Sequence, residues 1–176
     1  MINQEIYIRH LKDIGVEFIT GVPDTLLNEF CLSVEENWPK NKHIIAANEG
    51  NAAALACGYH LSTGSIPLVY MQNSGMGNTI NPLLSLSNKE VYGVPIVLLI
   101  GWRGDPSEKD HLQHKKQGEL TPILLDALDI PYKILEDNEE DVLAATSWAV
   151  NEAKSLNSPV ALIAKKNVFE NGQKVD

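Results

Sequence analysis

The chain has 176 residues, 44% of them hydrophobic and 21% charged, which is enough apolar material for one globular domain and argues against disorder. Its 14 basic and 23 acidic side chains give a net charge of −9, so a nucleic-acid binder held by phosphate contacts is not expected. No charged leader precedes an apolar stretch at the N-terminus and no apolar run approaches the ~20 residues of a membrane helix; a soluble cytoplasmic chain is expected.

In chain order, Ile6, Leu11 and Ile14 recur at helical spacing over residues 3–14, and Gly15 ends the pattern. Residues 16–20 read as a short strand, broken by Gly21-Val22-Pro23-Asp24. Asp24 or Thr25 is placed to cap a second helix reaching about Asn37. Residues 43–47 read as a strand, and Asn48-Glu49-Gly50 opens an alanine-rich helix to about Leu61. A third strand over 66–72 runs into a glycine-bearing elbow, then a helix that Pro82 should bend or delay.

Residues 94–100 are apolar throughout, as in a strand buried on both faces of a parallel sheet. Residues 101–118 read as a long polar loop, and a helix is expected at 121–128. A strand at 132–135, a helix at 139–155 and a strand at 160–164 complete the pattern. Strand and helix alternate without a composition break, which predicts an α/β fold, three layers around a mostly parallel sheet, over residues 1–166. The polar residues 167–176 read as the start of a linker. Cys31 and Cys57 form no CxxC pair, sit among apolar neighbours, and are expected to be buried reduced thiols.

In such a sheet ligands bind beyond the carboxyl ends of the strands, where the segments 21–25, 48–51, 73–78 and 101–118 fall. Glu49 opens a helix, where an acid is favoured by the helix dipole alone. The small residues around it would also let a ligand approach, and a carboxylate in a dry slot can carry a raised pKa and bond a ring nitrogen. Ser74-Gly75-Met76-Gly77 is not a dinucleotide fingerprint, because Ile80 stands where the third glycine belongs. His111 and His114 have no third ligand at metal spacing, so no metal is expected on this chain. Between Lys109 and Lys116 three lysines face one aspartate, a local balance suited to an anionic substrate.

Three segments, Gly21-Val22-Pro23-Asp24, Ala47-Asn48-Glu49-Gly50-Asn51-Ala52 and Gln72-Asn73-Ser74-Gly75-Met76-Gly77-Asn78, together resemble the pyrimidine-binding domain of thiamine-diphosphate decarboxylases. Gly101-Trp102-Arg103-Gly104-Asp105-Pro106 and Gln113-His114-Lys115-Lys116-Gln117-Gly118 look closer still to the phosphonopyruvate decarboxylases, with the sulfopyruvate decarboxylase α subunits similar. The resemblance implies that Glu49 contacts the N1′ ring nitrogen of the cofactor's aminopyrimidine and helps the cofactor act as its own base. It implies that Pro23, Ser74, Gly75 and Asn78 line the pyrimidine pocket. Asp24, Gln113 and His114 match positions facing the substrate, with Asp24 and His114 as proton donors or orienters. Lys115 and Arg103 are candidates for the substrate's anion on charge alone.

Met76 departs from the proline many relatives carry in this elbow, and His111-Leu112 from the Glu-Pro of the phosphonopyruvate enzymes. The sequence contains no Gly-Asp-Gly, the motif with which the resembled enzymes hold Mg2+ and the diphosphate on a second domain. The expectation is therefore half an active site, completed by a diphosphate-binding domain in the same polypeptide or in a separate subunit, and self-association is expected as well. The small 2-oxo acid substrate would be 3-phosphonopyruvate, with sulfopyruvate as the alternative. A non-catalytic regulatory or assembly module of the same fold is the reading from another class.

Overall fold

The computed structural model describes residues 1–169. Helix α1 (Gln4–Asp13) begins where the Asn3 side chain accepts the Glu5 and Ile6 N–H groups, and stops at Gly15, whose φ of 87° suits a residue without a Cβ. Then follow β1 (Val16–Gly21), α2 (Asn28–Asn37), β2 (His43–Ile45), α3 (Glu49–Thr63), β3 (Ile66–Gln72) and α4 (Met76–Pro82). The remaining elements are β4 (Val97–Gly101), α5 (Leu112–Ala127), β5 (Tyr132–Leu135), α6 (Glu139–Leu156) and β6 (Val160–Ala164).

The six strands form one wholly parallel sheet in the order β2-β1-β3-β4-β6-β5. Central strands β4 and β6 are buried at every position, whereas edge strands β2 and β5 are partly exposed, as the continuous apolar runs of the former require. Helices α1, α2 and α6 cover one face around Tyr7, Leu11, Phe30 and Val150. Helices α3, α4 and α5 cover the other around Ala52, Met76, Leu98 and Leu125. The chain passes from β1 over the first face to β2, then back over the second face to β3 on the other side of β1. The loops after β1 and β3 thus meet at a topological switch point, where an open α/β sheet leaves its crevice.

The alternation and the three-layer α/β/α architecture agree with expectation, and the bend at Pro82 takes the form of a π turn over Leu83–Ser87. Both cysteines are free and buried. Several details differ. Helix α2 starts at Asn28 behind Leu27, which makes no side-chain cap; Asp24 instead accepts the Leu26 N–H in the turn ahead of the helix. Strand β4 starts at Val97, with Val94 and Ile96 buried in the lead-in.

The largest difference is α5, which begins at Leu112 and not near Thr121, so Gln113, His114 and Lys115 lie in a helical first turn. Its early turns are solvent-facing and lack an apolar stripe, so periodicity could not reveal them. The packed part also reaches beyond residue 166. Val168 and Phe169 are buried, and Phe169 bridges Ile2 and packs edge-on against Tyr7. The rest of the expected linker, residues 170–176, lies outside the described residues.

Candidate functional site

Two groups of side chains gather at the carboxyl edge of the sheet. The first forms where α3 meets the elbow after β3. Asn48 caps α3 by accepting the Asn51 N–H at 2.9 Å, which leaves Glu49 as the first helical residue, partly exposed. Its Oε2 accepts from Asn78 Nδ2 at 2.8 Å. Its Oε1 lies flush against Gly75, so close that a Cβ there would collide with the carboxylate. Gly50 in turn admits the Asn78 carbonyl, which would lie 2.6 Å from a Cβ at position 50. Pro82 has no N–H to offer that carbonyl, four residues earlier in α4. Glu49, Gly75 and Asn78, singled out in the sequence, are therefore brought together. Ser74 is exposed at the same elbow and takes a bond from Gln72, while Pro23 is exposed on the neighbouring loop.

The second group forms where the loop after β4 meets the first turn of α5. Asp110 is its hub: Arg103 donates through Nε at 2.9 Å and through Nη2 at 2.7 Å. Gly104 N–H and His111 N–H add bonds of 2.9 and 2.7 Å, and His114 Nδ1 sits 3.0 Å from Oδ1. These donors, the Arg103 guanidinium foremost, hold the Asp110 carboxyl far below the usual carboxylate range, and Asp110 raises Arg103 in return. Arg103 Nη1 reaches Thr25 Oγ1 at 3.2 Å. Gln113 is exposed and its amide lies 3.5 Å from His114 Nε2, too far for a firm bond. Lys115 is exposed.

Asp24 lies behind this group. Its side chain is buried against the bare Cα of Gly101, and Oδ1 has no hydrogen-bond partner among the described residues. Burial pushes its carboxyl above the usual range, opposed by the Leu26 N–H and the nearby Arg103 charge. A buried carboxyl with an unpaired oxygen is suited to hold a proton.

Backbone contacts set the position of α5. Pro122 lies inside the helix and withholds an N–H from the Gly118 carbonyl, and the Trp102 indole donates to that carbonyl at 2.9 Å. Gly104, with φ of 74°, and Gly118 cross with no room for a Cβ on either. Asn73 joins the two groups: its amide donates to the Arg103 carbonyl at 2.8 Å and to Thr121 Oγ1 at 2.9 Å, while its Oδ1 accepts from Arg103 N–H. Asp110, Asn73, Thr25 and Trp102 were not among the residues expected from sequence to form the site. All four lie in the segments 21–25, 73–78 and 101–118 expected beyond the carboxyl ends of the strands, but none was given a role of its own.

The chain matches the family described as thiamine pyrophosphate enzyme, N-terminal TPP binding domain, over residues 3–127. It is 34% identical over 145 residues to the phosphonopyruvate decarboxylase of Streptomyces viridochromogenes, covering 82% of this chain and 36% of that protein. It is equally 34% identical to the sulfopyruvate decarboxylase subunit alpha of Methanococcus maripaludis, over 162 residues that cover 90% of this chain and 92% of that one. Benzoylformate decarboxylase from Polynucleobacter necessarius shares the fold with a TM-score of 0.70 at 16% identity, over 98% of this chain and 32% of that structure. The chain thus spans about a third of the phosphonopyruvate decarboxylases it matches. With a family match across most of its length, this chain belongs to the N-terminal thiamine pyrophosphate-binding domains of the thiamine pyrophosphate enzymes.

Proposed function

We propose that this chain is the pyrimidine-binding half of a thiamine-diphosphate-dependent decarboxylase whose substrate is a small 2-oxo acid with a second anionic group. The observation that carries the proposal is the Glu49 carboxylate, held by Asn78 on one oxygen and flush with bare Gly75 backbone on the other. The carboxylate is oriented by these contacts and partly exposed, so a flat aminopyrimidine placed beside the elbow finds an acceptor for a ring nitrogen bearing a proton. When bound, the cofactor supplies the electron sink that loss of carbon dioxide from a 2-oxo acid requires.

The chain's own residues have distinct parts in this reading. Glu49 holds the pyrimidine ring and its proton, and Pro23, Ser74 and Asn78 border the same ring. Asp24, buried with its carboxyl raised above the ordinary value, and His114 face the reacting carbon as proton donor and orienter, with Gln113 beside them. Lys115 is the exposed cation for the far anionic end. Magnesium and the diphosphate belong to the diphosphate-binding half, in the same polypeptide or in a partner subunit. Partial exposure of Glu49 supports this, as do exposed Leu55, Leu84, Leu120 and Ile123 on the α3, α4 and α5 face, where a second half or a second copy would cover them.

The first substrate reading is 3-phosphonopyruvate, giving phosphonoacetaldehyde and carbon dioxide. Sulfopyruvate, with the chain as an α subunit, is the second, favoured to the same degree by the equal identity to both kinds of relative. The test is carbon dioxide release from each acid with the diphosphate-binding half, magnesium and thiamine diphosphate supplied. Turnover of one acid at least ~10-fold above the other assigns the substrate. Tight assembly without turnover of either would favour a non-catalytic module.

A further inference from the structure

We propose that Asp110 is a positioning residue that turns His114 Nδ1 inward and presents Nε2 to the substrate, with Arg103 clamping Asp110 and not receiving the substrate's anion. The proposal rests on the decarboxylase reading only for the destination of Nε2; the lock itself is a property of this chain. A carboxylate offers about four lone-pair sites. Asp110 meets donors from Arg103 Nε and Nη2, Gly104 N, His111 N and His114 Nδ1, which uses them all. It has nothing left for a ligand and acts through the groups it holds.

Arg103 is committed in the same way. Nε and one Nη2 N–H grip Asp110 side-on and Nη1 reaches Thr25, so the side-on fork that would suit a phosphonate or sulfonate is already filled by a carboxylate that neutralises the guanidinium charge. His114 Nδ1 also lies 3.2 Å from Arg103 Nη2, but two donors cannot share one bond, and a charged acceptor outcompetes it. Nδ1 therefore carries its proton toward Asp110, and Nε2 is the nitrogen left to take up or give a proton. The helix cannot drift from this arrangement, because Gly104 and Gly118 are in direct backbone contact and Trp102 holds the Gly118 carbonyl.

The charged and titratable groups near the ring are Asp110 and Arg103 in contact, His111 with its ring 6.0 Å away, and Asp24 on the far side of Arg103. Removing Asp110 leaves His114 facing an arginine alone, and removing Arg103 leaves it facing a carboxylate alone.

Nitrogen NMR of the ring through a pH titration of this chain reads the lock directly. In the unsubstituted chain the Nδ1–H tautomer is expected to dominate. Asp110→Asn should mix the two tautomers, while Arg103→Gln, which leaves Asp110 beside Nδ1, should keep the Nδ1–H form dominant. In the assembled enzyme Asp110→Asn should lower kcat by ~10–100-fold with little change in KM and shift the pH profile, and Asp110→Glu should recover part of the loss. An unchanged tautomer in Asp110→Asn would overturn the lock. A rise in KM of ~10-fold or more with kcat preserved in Arg103→Gln would make Arg103 the anion receptor after all. Full turnover in His114→Ala removes the role given to His114 in the decarboxylase, while the NMR result still decides whether Asp110 holds the ring.

Discussion

Gly75 and Glu49 are packed so closely that the carboxylate rests on the glycine's bare Cα, where any Cβ would displace it. What would be displaced is the end of a flexible side chain, and φ at Gly75 is −78°, which alanine adopts freely. Gly75→Ala should therefore cost less than ~1 kcal/mol of stability yet move the carboxylate, lowering turnover of the assembled enzyme by ~10–100-fold. A urea midpoint beside a turnover assay checks both halves; wild-type turnover would mean that the carboxylate need not sit where it does.

Glu49→Gln keeps the shape and the Asn78 contact but removes the charge. Folding should be nearly unchanged and turnover should fall by ~10²-fold or more. Turnover near that of the parent would strip Glu49 of its assigned part.

The crossing of Gly104 and Gly118 is backbone on backbone, with no flexible atom to give way. Gly118→Ala should cost ~1–3 kcal/mol, and Trp102→Phe a similar amount, since it leaves the Gly118 carbonyl without its donor. Gly58 is the control: helical, with open space around it, it should gain ~0.5–1 kcal/mol on replacement by alanine. Thermal melts of the three variants should split in sign, and a stabilised Gly118→Ala would contradict the packing.

Burial raises the Asp24 carboxyl above its ordinary value of 3.8. Between the ordinary and the raised value the native chain holds a proton that the unfolded chain has released, so stability falls as pH rises through that window. Asp24→Asn removes this slope and should gain on the parent as pH climbs from about 4. Asp110 works in the opposite sense, lending stability above the ordinary aspartate range that is lost only as pH falls. Urea midpoints of parent and Asp24→Asn from acid to neutral pH test this; parallel curves would mean Asp24 carries no raised pKa.

The order of strands and helices was legible because each element bears its own periodicity. The apolar run ahead of Gly101 and the small-residue helix after Glu49 could belong to little else than a covered parallel sheet. The start of α5 was not legible, because its first turns pack on a glycine crossing and a tryptophan donor, and bury no apolar stripe of their own. Nor was the end of the packed region: Val168 and Phe169 sit in a polar stretch and are buried only because Tyr7 and Phe30, far away in sequence, accept Phe169.

The amino-acid order by itself determined an α/β domain with Glu49 and the Gly75 elbow at one edge of its sheet, since those are set by local pattern and by which loops follow strands. The tertiary structure alone decided which polar side chains spend themselves on each other. Arg103 was a candidate for the substrate's anion on charge alone, and is bound to Asp110; Asp110 was the one aspartate among three lysines, and is the hub of five donors. The reason is that hydrogen-bond capacity is used up in space, among residues that sequence spacing does not bring together.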